Sequence, residues 1–255
     1  GDYKDFYATD VQGTENIIIA CHINKIKKLI YTSSPSVVFG SNNIEGANEQ
    51  ISYPDQYLCN YSKTKAIAEK MVIKANGLNG LATVCIRPHL IWGPGDPHLL
   101  PRIVERAKNK KLIRVGEGNN LVDMIYIDNA VDAHIKAYEK LDLNSNVAGK
   151  CYFVSDDKPV FLWEWIELLL IKLELPSITK TITFKWAFFL GRILEIFHKV
   201  FFIKKEPIMT RFLAMQLSKS HYFNISQAKK DFGYKPLIKN EEGIKRLVSD
   251  YFSRQ

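Results

Sequence analysis

Metal-binding spacing is missing from this chain. Its four cysteines, Cys21, Cys59, Cys85 and Cys151, form no Cys-x-x-Cys, and its six histidines form no His-Glu-x-x-His. That excludes a zinc knuckle and a disulfide framework, sets the metal expectation at none, and fits a reducing compartment. A phosphate-cradling glycine loop is also missing. Neither Gly93-x-Gly95 nor Gly116-x-Gly118 continues as G-x-G-x-x-G between a strand and a helix. The basic excess is not concentrated anywhere: Lys+Arg 35 against Asp+Glu 27 leaves a net charge of +8, but the doublets Lys27-Lys28, Lys110-Lys111, Lys204-Lys205 and Lys229-Lys230 stand far apart. Scattered lysines of this kind suit an anionic small ligand or an acidic membrane surface, so no nucleic-acid partner is expected. There is no internal repeat and no low-complexity segment, and these residues are expected to hold no signal peptide. The chain opens on Gly1 directly into helical periodicity, and residues upstream of it are expected.

What is present is 255 residues with 46% apolar content, enough for one domain with a large core, or one domain with a smaller appendage. Residues 5–23 place Phe6, Val11, Ile17, Ile18 and Cys21 on one face of a predicted helix. Lys28 to Ser34 is a short apolar run ending in hydroxyls, a buried strand. After a polar stretch at 41–56, a helix is predicted from Asp55 to Asn76, stopped by Gly77. Leu81 to Arg87 is a second apolar strand, broken by Pro88. This alternation implies right-handed crossovers and a parallel sheet. The stretch His89 to Pro97 reads as a turn-rich loop, 99–109 as a helix with Pro101 near its start, and 111–115 and 121–127 as strands. Asp128 is the expected N-cap of a helix through Lys140, followed by a strand at 150–154 and a helix at 161–173. The tail reads as a helix over 226–231, a turn at Gly233-Tyr234-Lys235-Pro236, and a closing helix over 241–251.

Two features carry chemistry. Tyr61 and Lys65 stand four residues apart inside the predicted helix, and so share one face. A cation beside a phenol favours the phenolate, and a tyrosine so placed can exchange a proton with a hydroxyl or carbonyl near neutral pH. Many helices carry such a pair with no function. Ser33 and Ser34 end a predicted strand, where ligands sit in open α/β sheets; a plain strand-end turn uses the same residues.

Residues 186–203 differ from the rest. They are crowded with Phe, Leu and Ile, and the charges Lys185, Arg192, Glu195 and Lys199 fall in one quadrant of a helical wheel. A spanning helix needs about 20 apolar residues with few charges, so a helix lying in a membrane interface is expected, with a lid over an apolar pocket as the alternative.

Together, Tyr31-Thr32-Ser33-Ser34, Tyr61-x-x-x-Lys65 and Arg87-Pro88-His89-x-Ile91-x-Gly93-Pro94-x-Asp96-Pro97 resemble the extended short-chain dehydrogenase/reductases, and within them the 3β-hydroxysteroid dehydrogenase family. Asn120-Leu121-Val122-Asp123, Tyr126-Ile127-Asp128-Asn129, Ser220-His221-Tyr222-Phe223 and Ala228-Lys229-Lys230-x-x-Gly233-Tyr234-x-Pro236-Leu237 are similar to the same family, over nearly the whole chain. The branches with this pattern include sterol-4α-carboxylate 3-dehydrogenases and 2-alkyl-3-oxoalkanoate reductases.

The resemblance implies an α/β fold: an NAD(P)-binding Rossmann-like doubly wound parallel sheet, here without its N-terminal part. The expected division is residues 1–175, with substrate-domain excursions near 92–127, and a smaller substrate and lid region at 176–255. It implies Tyr61 as proton donor or acceptor and Lys65 as the group that lowers the Tyr61 pKa and hydrogen-bonds the nicotinamide ribose. Ser34 is implied as the partner of the reacting oxygen, with Ser33 as the other candidate. Pro88, His89, Leu90 and Ile91 are implied beside the nicotinamide of NAD or NADP. The implied reaction interconverts a 3-hydroxy and a 3-oxo group on a sterol or long-chain lipid. The implied setting is the cytoplasmic side of a membrane, held peripherally or monotopically through 186–203, with a homodimer left open. A sugar-nucleotide epimerase or dehydratase of the same superfamily and a non-catalytic NAD(P)-fold scaffold are the alternatives. Such enzymes begin with a strand and a glycine loop that holds the pyrophosphate; none is present here, so a bare apolar sheet edge and weak dinucleotide affinity of the 255 residues are expected.

Overall fold

A computed structural model describes residues 2–203 and 207–254; Gly1 and the Lys204-Lys205 doublet lie outside the described residues. Lys28–Thr32, Ala82–Pro88 and Lys150–Val154 form a parallel sheet with Ala82–Pro88 in the middle. All seven residues of the middle strand are buried, as a continuous apolar run in a parallel sheet requires. Its side chains alternate. Thr83, Cys85 and Arg87 face the helix Asn60–Ala75, to which each is hydrogen-bonded. Ala82, Val84 and Ile86 share a core with Ala130, Ala133 and Ala137 of the helix Ile127–Lys140. Helices therefore cover both faces, and the sheet is doubly wound. Among the described residues, Lys28–Thr32 pairs only with Ala82–Pro88. Its other edge carries no strand among the described residues, as the sequence led one to expect, and the Thr32 carbonyl accepts instead from Lys65.

Several boundaries differ from those read in the sequence. The first helix runs through Tyr3–Phe6, a π-helical turn at Tyr7–Gln12, and Gly13–Ile23. Val11 and Cys21 are buried, but Ile17 is 54% exposed. A π turn holds an extra residue, and each residue turns the helix by about 100°, so the apolar stripe beyond it swings out of register. The Tyr61 helix begins at Asn60, five residues later than predicted. The preceding segment stays irregular and uses its tyrosines instead: Tyr53 donates to Glu69 Oε1 (2.6 Å) and Tyr57 to the Val37 carbonyl (3.1 Å). Gly77 closes the helix at φ +85°, a left-handed conformation that favours glycine. Asp128 is not the N-cap of Ile127–Lys140; the Asp156 carboxylate accepts the Tyr126 amide at 3.0 and 3.1 Å. The single strand expected at 121–127 is two short ones, Leu121–Val122 and Ile125–Tyr126. Ile91–Trp92, expected in a loop, pairs with the second, and Ile44–Ala47 pairs with His221–Phe223. The helix Leu99–Lys108 is capped from outside by Asp96, whose carboxylate accepts the amides of His98, Leu99 and Leu100.

Among the described residues, 176–255 build no separate core cluster. Ala187, Ala214, Ile244 and Leu247 join a cluster centred on Trp92, Trp163 and Trp165, while Ala228, Phe232 and Tyr234 join the cluster over the sheet. The helix Phe184–Val200 docks on Arg211–Ser218 through the buried Ala187 and Gly191. A Cβ on Gly191 would lie 2.6 Å from the Thr210 carbonyl carbon, so only glycine permits this approach.

Beneath the Tyr61 helix, Arg87 Nε and Nη2 donate to the two oxygens of Glu69 at 2.9 and 2.7 Å, with both side chains buried. Burial alone would raise the Glu69 pKa; the Arg87 guanidinium outweighs it and holds the carboxyl below its usual range. Removing one member leaves a buried, unpaired charge. Replacing Arg87 by Met is expected to cost about 3–5 kcal/mol in urea unfolding, while Arg87→Met with Glu69→Leu recovers most of that loss.

Candidate active site

The parallel crossover decides where the candidate residues meet. The helix between two parallel strands runs back against them, so its first turn lies at the strands' carboxyl ends. Tyr61 is the second residue of Asn60–Ala75, Ser34 follows Lys28–Thr32, and His89 follows Ala82–Pro88. All three therefore converge on one end of the sheet, where α/β folds bind ligands.

Ser34 starts the short 3₁₀ turn Pro35–Val38, and its Oγ accepts the Ser36 amide at 3.2 Å. Its side chain also lies close enough to the Tyr61 phenol to lower that group's pKa. Ser33 is buried and acts on the Glu69 carboxylate, so of the two candidate serines it is Ser34 that acts on Tyr61. The Tyr61 ring stands edge-on to Phe6 at 6.1 Å and remains 37% exposed. Lys65 Nζ donates to the Thr32 carbonyl at 2.7 Å and sits over the Tyr31 ring at 4.1 Å, tying the helix to the strand end.

The electrostatics differ from the expected lowering of the Tyr61 pKa by Lys65. Burial of its hydroxyl raises the Tyr61 pKa, the Ser34 bond opposes the rise, and Asp10 adds to it. Lys65 is itself shifted down by burial, against the pull of Asp10 and Glu69, and its ammonium is committed to the Thr32 carbonyl. Asp10 was not singled out in the sequence. The π-helical turn brings it to the site, where its carboxylate accepts from Thr64 at 2.6 Å and acts on Tyr31, Tyr61 and Lys65. A lone Asp in a helix gives no sequence signal; a π turn is detectable only in coordinates.

The segment after the middle strand is held by backbone and by histidine. Pro88 and His89 are buried, Leu90 takes φ +43°, and Ile91 is 39% exposed. His89 Nε2 lies 2.6 Å from His221 Nδ1, and His221 Nε2 lies 3.0 Å from the Gln216 carbonyl. A carbonyl only accepts, so His221 carries its proton on Nε2, its Nδ1 accepts, and His89 Nε2–H is the donor. Phe39 packs against both rings and Phe223 against that of His89. His89 thus joins the implied cofactor segment to the strand His221–Phe223, a link that spacing in the sequence could not reveal.

The profile of the 3-beta hydroxysteroid dehydrogenase/isomerase family matches residues 2–185. The 2-alkyl-3-oxoalkanoate reductase of Shewanella oneidensis is 45% identical over 254 residues, covering 97% of this chain and 66% of its own length. The human sterol-4-alpha-carboxylate 3-dehydrogenase, decarboxylating, is 33% identical over 251 residues, covering 96% of this chain and 67% of its own. The chain thus spans about two thirds of the length of these curated relatives. Among solved structures, the UDP-glucuronic acid 4-epimerase from Bacillus cereus in complex with NAD superposes with a TM-score of 0.72 at 18% identity, covering 100% of this chain and 72% of that one. These comparisons and the doubly wound sheet define an extended short-chain dehydrogenase/reductase fold. The chain belongs to the 3-beta hydroxysteroid dehydrogenase/isomerase family.

The histidine pair predicts a pH dependence of stability. Burial lowers both pKa values, and each histidine must take up a proton on unfolding below its ordinary pKa of about 6.5. Their contribution is therefore complete above that pH and is lost as pH falls below it, by up to about 1.4 kcal/mol per pH unit per histidine. Asp123, pushed up to about 7 mainly by burial, acts in the opposite sense and gains stability as pH falls through 7. Comparing unfolding free energies of the wild type and the His89→Leu/His221→Leu double variant between pH 7 and 5 cancels the Asp123 part. The variant is expected to lack the acid-side loss.

Proposed function

We propose that this chain carries the acid–base machinery of an NAD(P)-dependent oxidoreductase that interconverts a 3-hydroxy and a 3-oxo group on a sterol or long-chain lipid. The observation that carries the proposal is the Ser34–Tyr61–Lys65 arrangement at the carboxyl ends of the parallel strands, in a chain of this family. The relatives' names supply the substrate class: a 2-alkyl-3-oxoalkanoate for one, a sterol 4α-carboxylate for the other.

The residues present fit the nicotinamide end of NAD or NADP. A half-buried ammonium and a Ser–Tyr pair meet at one strand end, and Leu90, two residues past Pro88, takes a left-handed conformation. Lys65 would hydrogen-bond the ribose, and Pro88, His89, Leu90 and Ile91 would flank the ring; the 255 residues contain no G-x-G-x-x-G for the pyrophosphate. When bound, the nicotinamide supplies the hydride acceptor or donor. The chain's own part is the proton. Tyr61, resting as a neutral phenol because burial raises its pKa, donates to a carbonyl oxygen as that oxygen gains charge, and takes the proton back in the reverse direction. The Ser34 hydroxyl donates to the same oxygen.

We further propose that the helix Phe184–Val200 lies in a membrane interface, the protein being peripheral on the cytoplasmic side. Trp186, Phe189, Ile193, Ile196, Phe197 and Val200 recur at spacings of three and four and are 47–65% exposed, on the side away from Ala187 and Gly191. Lys185, Arg192 and Lys199 flank this stripe, in position for anionic headgroups. An apolar stripe facing outward supports an interfacial helix over a lid. No helix among the described residues is long and apolar enough to cross a membrane.

For the chemistry, the intact protein should be assayed with both nicotinamides on a 3-oxo lipid. Tyr61→Phe is expected to lower kcat by about 10²–10⁴-fold with an unchanged far-UV spectrum, since proton transfer is worth that much; full activity in the variant would support a non-catalytic scaffold instead. For the membrane, Trp186 serves as its own probe, because the other three tryptophans are at most 5% exposed. Anionic phospholipid vesicles should shift its emission to the blue. Phe189→Asp/Ile193→Asp should abolish the shift, and an unshifted wild type would refute the interfacial reading.

A further inference from the structure

Away from the Ser34–Tyr61 site, a second reactive arrangement is built into the sheet. Cys85, in the middle strand, and Cys151, in Lys150–Val154, are register partners in the parallel pairing. Register partners on adjacent strands point to the same face, with Cα atoms about 4.8 Å apart, inside the range of about 4.4–6.8 Å that a disulfide requires. The two sulfurs lie within 4.8 Å of one another, and both cysteines are free. Their surroundings differ. Cys85 is fully buried, with its thiol 3.9 Å from the Glu69 carbonyl. Cys151 is half-buried and lines a solvent-open cleft of about 490 Å³ at the outer side of its strand, together with Glu49, Tyr53, Arg87 and Lys150. The Arg87 guanidinium is within electrostatic reach of the Cys151 sulfur. Glu69 completes a group of three donor atoms within 4.8 Å of one another, but its carboxylate is already held on both oxygens by Arg87, which leaves no carboxylate free for a metal ion.

We propose that Cys85 and Cys151 form a hydroperoxide-reactive dithiol, a modification site in which Cys151 is oxidised first and Cys85 resolves it to a disulfide. In the first step the Cys151 sulfur attacks one oxygen of the hydroperoxide. The S–O bond forms, the O–O bond breaks, and the leaving alkoxide or hydroxide takes up the thiol proton, giving a sulfenic acid and an alcohol or water. In the second step the Cys85 sulfur attacks the Cys151 sulfur. The S–S bond forms, the S–O bond breaks, and the Cys85 proton leaves with the hydroxide as water. Two thiols lose two electrons, and the hydroperoxide gains them. The order of attack follows access, because only Cys151 faces the cleft. The neighbouring Cys151 sulfur, together with burial, also raises the Cys85 thiol well above its usual range, which keeps it protonated until its partner is activated. Neither cysteine belongs to the acid–base site, so a negative result here would leave the proposed activity untouched.

The test treats the full chain with hydrogen peroxide, blocks remaining thiols with iodoacetamide and maps the peptides by mass spectrometry. A Cys85–Cys151 cross-linked peptide two hydrogens lighter than the dithiol is expected, with Cys21 and Cys59 still alkylated. Cys85→Ser should stop the reaction at a Cys151 sulfenic acid that dimedone traps, and Cys151→Ser should leave Cys85 alkylated. The proposal is overturned if Cys151 proceeds to sulfinic acid in the wild type without a cross-link, or if Cys21 or Cys59 is oxidised first. It is also overturned if the cross-link forms as fast in urea, where strand register is lost. The wild-type map and the urea control need no variant, so they decide the matter even if the Cys85→Ser protein misfolds.

Discussion

The bidentate contact between Arg87 and Glu69 fixes the rest of the site. It joins the middle strand to the helix that carries Tyr61, with both side chains at most 3% exposed. A buried pair of this kind adds little net stability over apolar packing, but it tolerates only one alignment of helix on strand. Glu69 sits two helical turns beyond Tyr61, and Arg87 precedes Pro88 and His89. One contact therefore sets both the depth at which the phenol meets Ser34 and the point at which the chain leaves the sheet. Tyr53, donating to the same carboxylate, closes the arrangement from the segment before the helix.

A consistent division of labour follows. Backbone geometry places the reacting groups, because parallel strands and the helices between them expose opposite polar ends on one side of the sheet. Side-chain contacts then hold the register: Lys65 to the Thr32 carbonyl, His89 to His221, Asp156 to the Tyr126 amide. Each joins segments distant in sequence, and each lies within a few residues of the strand ends. The C-terminal third contributes to this scaffold and also carries the exposed helix, so the elements that face a lipid and those that brace the site share one core.

Much of this architecture was legible in the sequence, for physical reasons. Residues 82–88 are buried on both faces and so read as an unbroken apolar run, and Tyr61 and Lys65 stand on one helical turn. The parallel sheet and the amphipathic segment were visible in the same way. What was hidden depended on contacts between distant segments or on irregular backbone. The late start of the Tyr61 helix reflects hydroxyl bonds from Tyr53 and Tyr57 across the fold. The cap of Ile127–Lys140 comes from Asp156, about 30 residues away, and no local pattern competes with that. The π turn at Tyr7–Gln12 rotated a helix face and delivered Asp10, and an extra residue within one turn leaves no trace in a 3.6-residue pattern. The role given to Lys65 followed from its spacing to Tyr61 and from the family resemblance; neither could show that its ammonium also donates to the Thr32 carbonyl.

Gly191 shows how an absent side chain can constrain evolution. The exposed helix touches the body of the protein through Ala187 and Gly191, and with a Thr210 carbonyl carbon 2.6 Å from where a Cβ would stand, the docking face has no room to vary. The opposite face has no such neighbour among the described residues. Trp186, Phe189, Ile193 and Ile196 are exposed, so that face can exchange one apolar residue for another, or change its aromatic content, without disturbing the fold. Across divergent copies of this chain the two faces should therefore drift at different rates: one held to glycine and alanine by contact with backbone, the other free to adapt to whatever surface it meets.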